Sequence, residues 1–284
     1  MEQADNNGML YQVKGTLAAV ISHYYHVFNT GDQPVTKHLS PNLEIMMIFN
    51  LGTPVPVSFN DTASGREVKS ECVVIGPLRK MLGYTLNPEA DALVVNFRLN
   101  GFYRLFKLAL NNFDSETLYD PDKLGSYCFE DLRKELAEID DLKARLTMIS
   151  SYIATFIAEN DAAVQPLLNG EHYFYDPAIQ PVKAIAKDNS LTERTIQLRF
   201  QKYAGYSPKE LLRFLRFKTV VDRLVNEEDT PAGVFELILA FGYHDQSHLI
   251  KDFQQYLGTT PQHFLRQLKG KEFFITGHGP KSQE

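Results

Sequence analysis

The chain has 284 residues, 44% hydrophobic and 23% charged, with a formal net charge of −6; that length suggests two domains and that composition excludes a disordered chain. Cys72 and Cys128 are the only cysteines, too few for a disulfide framework or a cysteine-built zinc site, so no metal or other cofactor is expected. Residues 1–8 are polar and acidic, unlike a secretory leader, and no apolar run approaches the roughly 20 residues that cross a bilayer; a cytoplasmic protein without a membrane partner is expected.

The first part reads as strands. Segments 20–28, 43–51, 55–59, 71–76 and 93–99 are rich in β-branched, aromatic and aliphatic residues. Turn chemistry separates them at Thr30-Gly31-Asp32, Ser40-Pro41-Asn42, Gly52-Thr53-Pro54, Asn60-Asp61 and Asn87-Pro88. Short strands at this spacing predict an antiparallel barrel or sandwich. Phe102, Leu105, Phe106 and Leu110 then recur at helical spacing, so a helix closes the domain.

From Phe129 to Glu159 the residues Leu132, Leu136, Ile139, Leu142, Leu146, Ile149, Ile153 and Phe156 advance by threes and fours. Such a stripe is either a seam against its own domain or a homodimer contact. The division expected is a β-rich sensing or assembly domain over 1–128, a linker helix over 129–160, a helical domain over 161–270 and a flexible tail over 271–284. The fold class is α+β.

The helical domain contains a repeat. Phe200-Gln201-Lys202-Tyr203-Ala204-Gly205-Tyr206-Ser207-Pro208 matches Phe253-Gln254-Gln255-Tyr256-Leu257-Gly258-Thr259-Thr260-Pro261 at one offset (253 − 200 = 53), so one supersecondary unit is used twice. Upstream of each Phe the chain reads helix, short turn, helix. In the first copy Val182, Ile185 and Ala186 form an apolar face, Asn189-Ser190 turns, and Thr192 caps the second helix. In the second copy the first helix runs 235–240, Gly242 turns, and His244-Asp245 opens a helix with Leu249, Phe253 and Tyr256 on its buried side. Ser207-Pro208 and Thr260-Pro261 cap the helices that follow. This is a pair of helix-turn-helix units, whose second helices, about 192–203 and 245–256, suit the major groove. Charge agrees: 192–223 holds eight basic residues against Glu193, Glu210 and Asp222, a local basic face on an acidic chain. A solvated helix face is the bland alternative.

These residues resemble the AraC/XylS family of bacterial transcription regulators. The likeness is carried by Gly242 to Leu249 (GYHDQSHL), Phe253, Gly258, Thr260 and Pro261, and in the first unit by Ala186, Leu191-Thr192-Glu193-Arg194-Thr195, Phe200, Gly205, Ser207-Pro208, Arg213 and Arg216. It covers about 181–268. Leu39-Ser40-Pro41-Asn42-Leu43-Glu44 is similar to the Pro-Asp-Gly turn of a less familiar N-terminal domain found on such regulators, with Asn42 in place of glycine. The resemblance implies sequence-specific binding of double-stranded promoter DNA, activation of transcription through RNA polymerase, and room for a small-molecule effector. It places Arg194, Thr195, Gln197, Gln246, Ser247, His248 and Lys251 at the bases; Gln bridges adenine N6 and N7, and Arg or Lys pairs guanine O6 and N7. Arg199, Lys202, Lys209, Lys218 and Arg266 are expected at phosphates. The family often has Arg where this chain has Leu198. Bland readings stand beside these: Arg194 paired with Glu193 or Glu210, His248 as a capping or packing residue, Gln197 idle in solvent.

Two other functions remain open. An enzyme binding a small molecule lacks any Gly-rich phosphate loop, Gly-x-Ser-x-Gly elbow or His-Glu-x-x-His motif here, and His23 and His26, three apart on one strand, face opposite sides. An interaction module with degenerate helix-turn-helix units would bind DNA weakly, with a shallow salt dependence.

Overall fold

The computed structural model describes residues 7–60, 66–69, 71–226, 241–243 and 245–269. Among the described residues nine strands lie in the first half: β1 Gly8–Gln12, β2 Ile21–Phe28, β3 Val35–Leu39, β4 Ile45–Asn50, β5 Val55–Phe59, β6 Arg66–Val68, β7 Cys72–Ile75, β8 Leu82–Leu86 and β9 Asp91–Phe97. They form a five-stranded sheet in the order β1-β2-β9-β4-β7 and a four-stranded sheet in the order β3-β8-β5-β6. Every pairing is antiparallel. The expected β-rich sandwich is present, with four strands (β1, β3, β6 and β8) beyond those read from the sequence. β3 and β8 pair Lys37 with Tyr84 and His38 with Gly83, and those charged and glycine positions mask an apolar run.

The larger sheet is covered on both faces, so its strands carry continuous apolar runs where a half-exposed strand would alternate. On β4, Ile45, Met47 and Phe49 face the helices with Leu93, Val95 and Phe97 of β9. Met46 faces the second sheet with Val57, Phe59, Leu82 and Leu86. The helical layer consists of α1 Gly101–Phe106, α2 Phe129–Ala137 and α3 Leu142–Phe156, contributing Phe102, Phe106, Phe129, Leu136, Ile149 and Ile153 to the core.

The 129–159 stripe is therefore two helices, not one. Asp141 starts the second by accepting from the Ala144 amide at 2.9 Å, which breaks the run between Ala137 and Leu142 although the apolar spacing continues across it. Both helices lay their stripe on their own sheet, the intramolecular alternative. Arg145 fastens α3 to β9 through Asp91 at 2.6 Å, and His26 of β2 meets the same carboxylate at 2.8 Å. Burial alone would raise the Asp91 pKa, but the His26 and Arg145 bonds hold it below its ordinary value.

The second half is helical: α4 Gln165–Asn169, α5 Pro181–Asp188, α6 Glu193–Ala204, α7 Pro208–Asn226, α8 Gln246–Leu257 and α9 Pro261–Lys269. The helix expected over 235–240, His244 and the tail lie outside the described residues. One core joins α5 to α9 around Ile185, Ile196, Phe200, Phe217, Phe253 and Phe264. Among the described residues no helix is long and apolar enough to cross a membrane.

Where β9 passes into α1 there is no space for a side chain. A Cβ on Gly101 would lie 1.9 Å from the Val20 carbonyl oxygen, and both belong to backbone that cannot swing aside. Gly101→Ala is expected to lower stability by about 3 kcal/mol, as overpacking does; a urea melt whose midpoint is unchanged would contradict this.

Candidate nucleic-acid interface

The first unit is built as its turn chemistry requires. α5 ends where the Asn189 side chain donates to the Ile185 carbonyl at 2.8 Å. Ser190 takes the left-handed conformation at φ 52°, and Thr192 caps α6 by accepting from the Thr195 amide at 3.1 Å. Ile196, Phe200, Tyr203 and Ala204 are buried. The opposite side, with Arg194, Gln197, Leu198, Gln201 and Lys202, is exposed. Thr195 and Arg199 flank it half-buried, and the Thr195 hydroxyl is engaged with Thr192 at 2.9 Å.

The second unit repeats this geometry. Gly242 is left-handed at φ 65°, and Asp245 caps α8 by accepting from the His248 amide at 2.8 Å. Leu249, Phe253, Tyr256 and Leu257 are buried, each 53 residues after its counterpart in α6. Gln246, Ser247 and Lys251 are exposed. The His248 ring stands edge-on to Tyr243 at 5.5 Å, so packing accounts for part of its surface. Ser207 and Thr260 cap α7 and α9 through the Glu210 and His263 amides.

The structure thus brings the seven expected base-reading positions onto the outer faces and flanks of two equivalent helices. The phosphate candidates are dispersed. Lys209 and Arg266 are exposed. Lys202 donates to the Tyr203 hydroxyl at 3.1 Å and lies over the Tyr103 ring at 5.1 Å. Lys218 lines a cleft towards the first half of the chain. Glu210, one ion-pair partner considered for Arg194, meets Arg79 at 2.6 Å.

A family model described as a helix-turn-helix domain matches residues 185–267, a span that takes in both units. Residues 185–267 are thus a helix-turn-helix domain, in agreement with the AraC-type resemblance carried by their sequence. A second model, a domain of unknown function (DUF6597), matches residues 10–118. No curated protein matches the chain. Among solved structures, ToxT from Vibrio cholerae O395 is 13% identical, covers 94% of this chain and 100% of its own, and superposes with a TM-score of 0.42. Unsaturated fatty acid-bound ToxT from Vibrio cholerae strain SCE256 is 12% identical over 95% and 99% of the two chains, TM-score 0.37. The AraC-like transcriptional activator CuxR is 10% identical over 75% and 86%, TM-score 0.24. Superpositions this loose add nothing to the match of the family models. The helix-turn-helix match supports a DNA-binding transcription regulator.

Two contact sets in this regulator carry no mark in its sequence. The first holds α8 against the linking helix α7. Arg213 of α7 meets Asp252 of α8 at 2.5 Å, and the Tyr243 hydroxyl donates to the other oxygen of that carboxylate at 2.9 Å. The second seats the β-rich half on both α6 and α8 at their glycine C-caps. The Met81 amide donates to the Tyr256 carbonyl at 2.8 Å, and Asn60 donates to that of Gln255 at 3.3 Å. Arg79, besides pairing with Glu210, donates to the Gly205 carbonyl. Leu43 and Met81 are buried in the helical core.

Beside this seat lies an open cleft of about 1710 Å³ lined in part by Glu44, Arg98, Phe174, Tyr175, Arg216 and Lys218. Burial pushes the Glu44 carboxyl up to about 7, against the pull of Lys218 and Arg98.

The Arg213–Asp252 pair is asymmetric, since the side chains are 35% and 1% exposed. Arg213→Ala strands a buried carboxylate and is expected to cost about 3 kcal/mol. Asp252→Asn leaves an arginine that water reaches and is expected to cost about 1 kcal/mol. Thermal melts of the two variants test that order. Glu44 binds its proton more tightly in the folded protein than at its ordinary value of 4.5. The folded state therefore holds more protons between pH about 4.5 and 7, and stability falls as pH rises through that window. Glu44→Gln is expected to remove this fall and to raise the melting temperature at pH 8; a variant less stable than the parent at pH 8 contradicts the assignment.

Proposed function

We propose that this regulator activates transcription from promoters at which α6 and α8 enter successive major grooves of double-stranded DNA. One observation carries the reading: the two helices bury equivalent residues at a constant offset of 53 and turn polar and cationic residues outward, Arg194 and Gln197 from one and Gln246, Ser247 and Lys251 from the other. Arg and Lys match guanine O6 and N7, and Gln matches adenine N6 and N7. Thr195 and His248 lie at the flanks of these faces, where their ring or hydroxyl contacts limit them to secondary roles. Lys202, Lys209 and Arg266 are the phosphate contacts this arrangement favours, with half-buried Arg199 at the edge and Lys218 drawn towards the cleft. Contact with RNA polymerase and a cytoplasmic location belong to the same reading.

A small-molecule effector fits it as well. A ligand in the cleft touches both halves of the chain, and it shifts their arrangement only so far as it binds one arrangement more tightly than the other. Both reading helices reside on one chain, and α2 and α3 spend their apolar stripe on their own sheet, so the reading needs no homodimer.

Selection of bound sequences from random duplex DNA tests the proposal, run with the full chain and with Gln197→Ala and Gln246→Ala. Two half-sites about one helical turn apart, each blurred by one substitution, are expected. Enrichment of no motif at low salt would favour a protein-interaction role instead.

A further inference from the structure

Leu198 is 47% exposed, and it sits in the middle of the outward face of α6. The inward face is complete without it: Ile196, Phe200, Tyr203 and Ala204 fill the core, and Leu198 belongs to none of the apolar clusters. Its neighbours one helical turn away are Arg194 and Gln201, and Gln197 precedes it; all three are exposed. A single leucine ringed by polar side chains is too small a patch for a protein partner. Its position is nevertheless the centre of a surface otherwise equipped for hydrogen bonding.

The major groove offers one apolar group, the C5-methyl of thymine. We propose that Leu198 is a specificity-determining residue of this chain, packing on a thymine methyl in the half-site read by α6. The inference rests on the reading above that α6 lies in the major groove. It assigns different chemistry to the two units. The counterpart of Leu198 in α8 (198 + 53 = 251) is exposed Lys251, a cation suited to the acceptor edge of guanine. The two half-sites are then unlike at that position, with thymine in the first and guanine in the second, and the asymmetry fixes the direction in which the chain lies on DNA.

The test compares duplexes differing by one methyl group. A duplex enriched by the full chain is resynthesised with each thymine of the first half-site replaced in turn by deoxyuridine, which pairs identically and lacks only the C5-methyl. The wild-type chain is expected to lose about three- to tenfold in affinity at one position, the scale of one buried methyl contact. Leu198→Ala is expected to bind the thymine and deoxyuridine duplexes equally there, while keeping the wild-type melting temperature because the side chain is exposed. Equal binding of every deoxyuridine duplex by the wild type, or discrimination retained by Leu198→Ala, overturns the assignment and leaves DNA binding intact. Failure of the wild type to enrich any duplex removes the groove reading itself, and the assignment with it.

Discussion

Helices α6 and α8 both end on a glycine in the left-handed conformation, Gly205 at φ 79° and Gly258 at φ 67°, and the two halves of the molecule meet at those ends. A side chain at either place would be strained and would also collide. A Cβ on Gly205 would come within 3.0 Å of Pro77, and one on Gly258 within 2.7 Å of Asn60. Absence of a side chain lets the β-rich half approach the last carbonyls of α6 and α8. The last carbonyls of a helix have no partner within it; Asn60 and Met81 satisfy two of them in α8, and Arg79 satisfies the carbonyl of Gly205, the cap of α6. One short stretch of the first half, 77–81, reaches both units. The spacing of the two outward faces is thereby tied to the sandwich as well as to α7.

The sandwich can serve as that support because its larger sheet is gripped from both sides. Helices α1, α2 and α3 cover one face, the second sheet covers the other, and Arg145 pins α3 to the strand β9 that sits at the centre of the larger sheet. The seat and the cleft lie at the same boundary. Leu43 and Glu44 are adjacent residues at that boundary, of which one enters the helical core and the other lines the cleft.

Much of this was legible in the sequence. The 53-residue repeat, with its capping Thr192, Asp245, Ser207 and Thr260, specifies both units and the side each helix buries, because caps and apolar spacing are local signals. The run Ile45–Phe49 announced a strand, and its lack of alternation had a physical cause in the two covered faces. Other parts were hidden for equally physical reasons. Lys37 is 5% exposed in β3, and a buried lysine reads from sequence as a loop residue. The break before Leu142 was hidden because the apolar spacing survives it, and only the cap at Asp141 reveals it. Arg79 and Met81 gave no signal and Asn60 only that of a turn, since their role depends on where the sandwich lies and not on anything near them in the chain. Leu198 stood out only as a departure from the family, until its exposure gave it a surface to work with.

The repeat is faithful in its caps and core, yet one position has reversed its charge. Asp252, locked to Arg213, is the counterpart of Arg199 (199 + 53 = 252) in α6. The two units are consequently not interchangeable parts. A second α6 installed in place of α8 would set one arginine against another at a position whose side chain is buried in α8. Each unit is fitted to its own place in the chain, α8 by a carboxylate that α6 does not possess at that position.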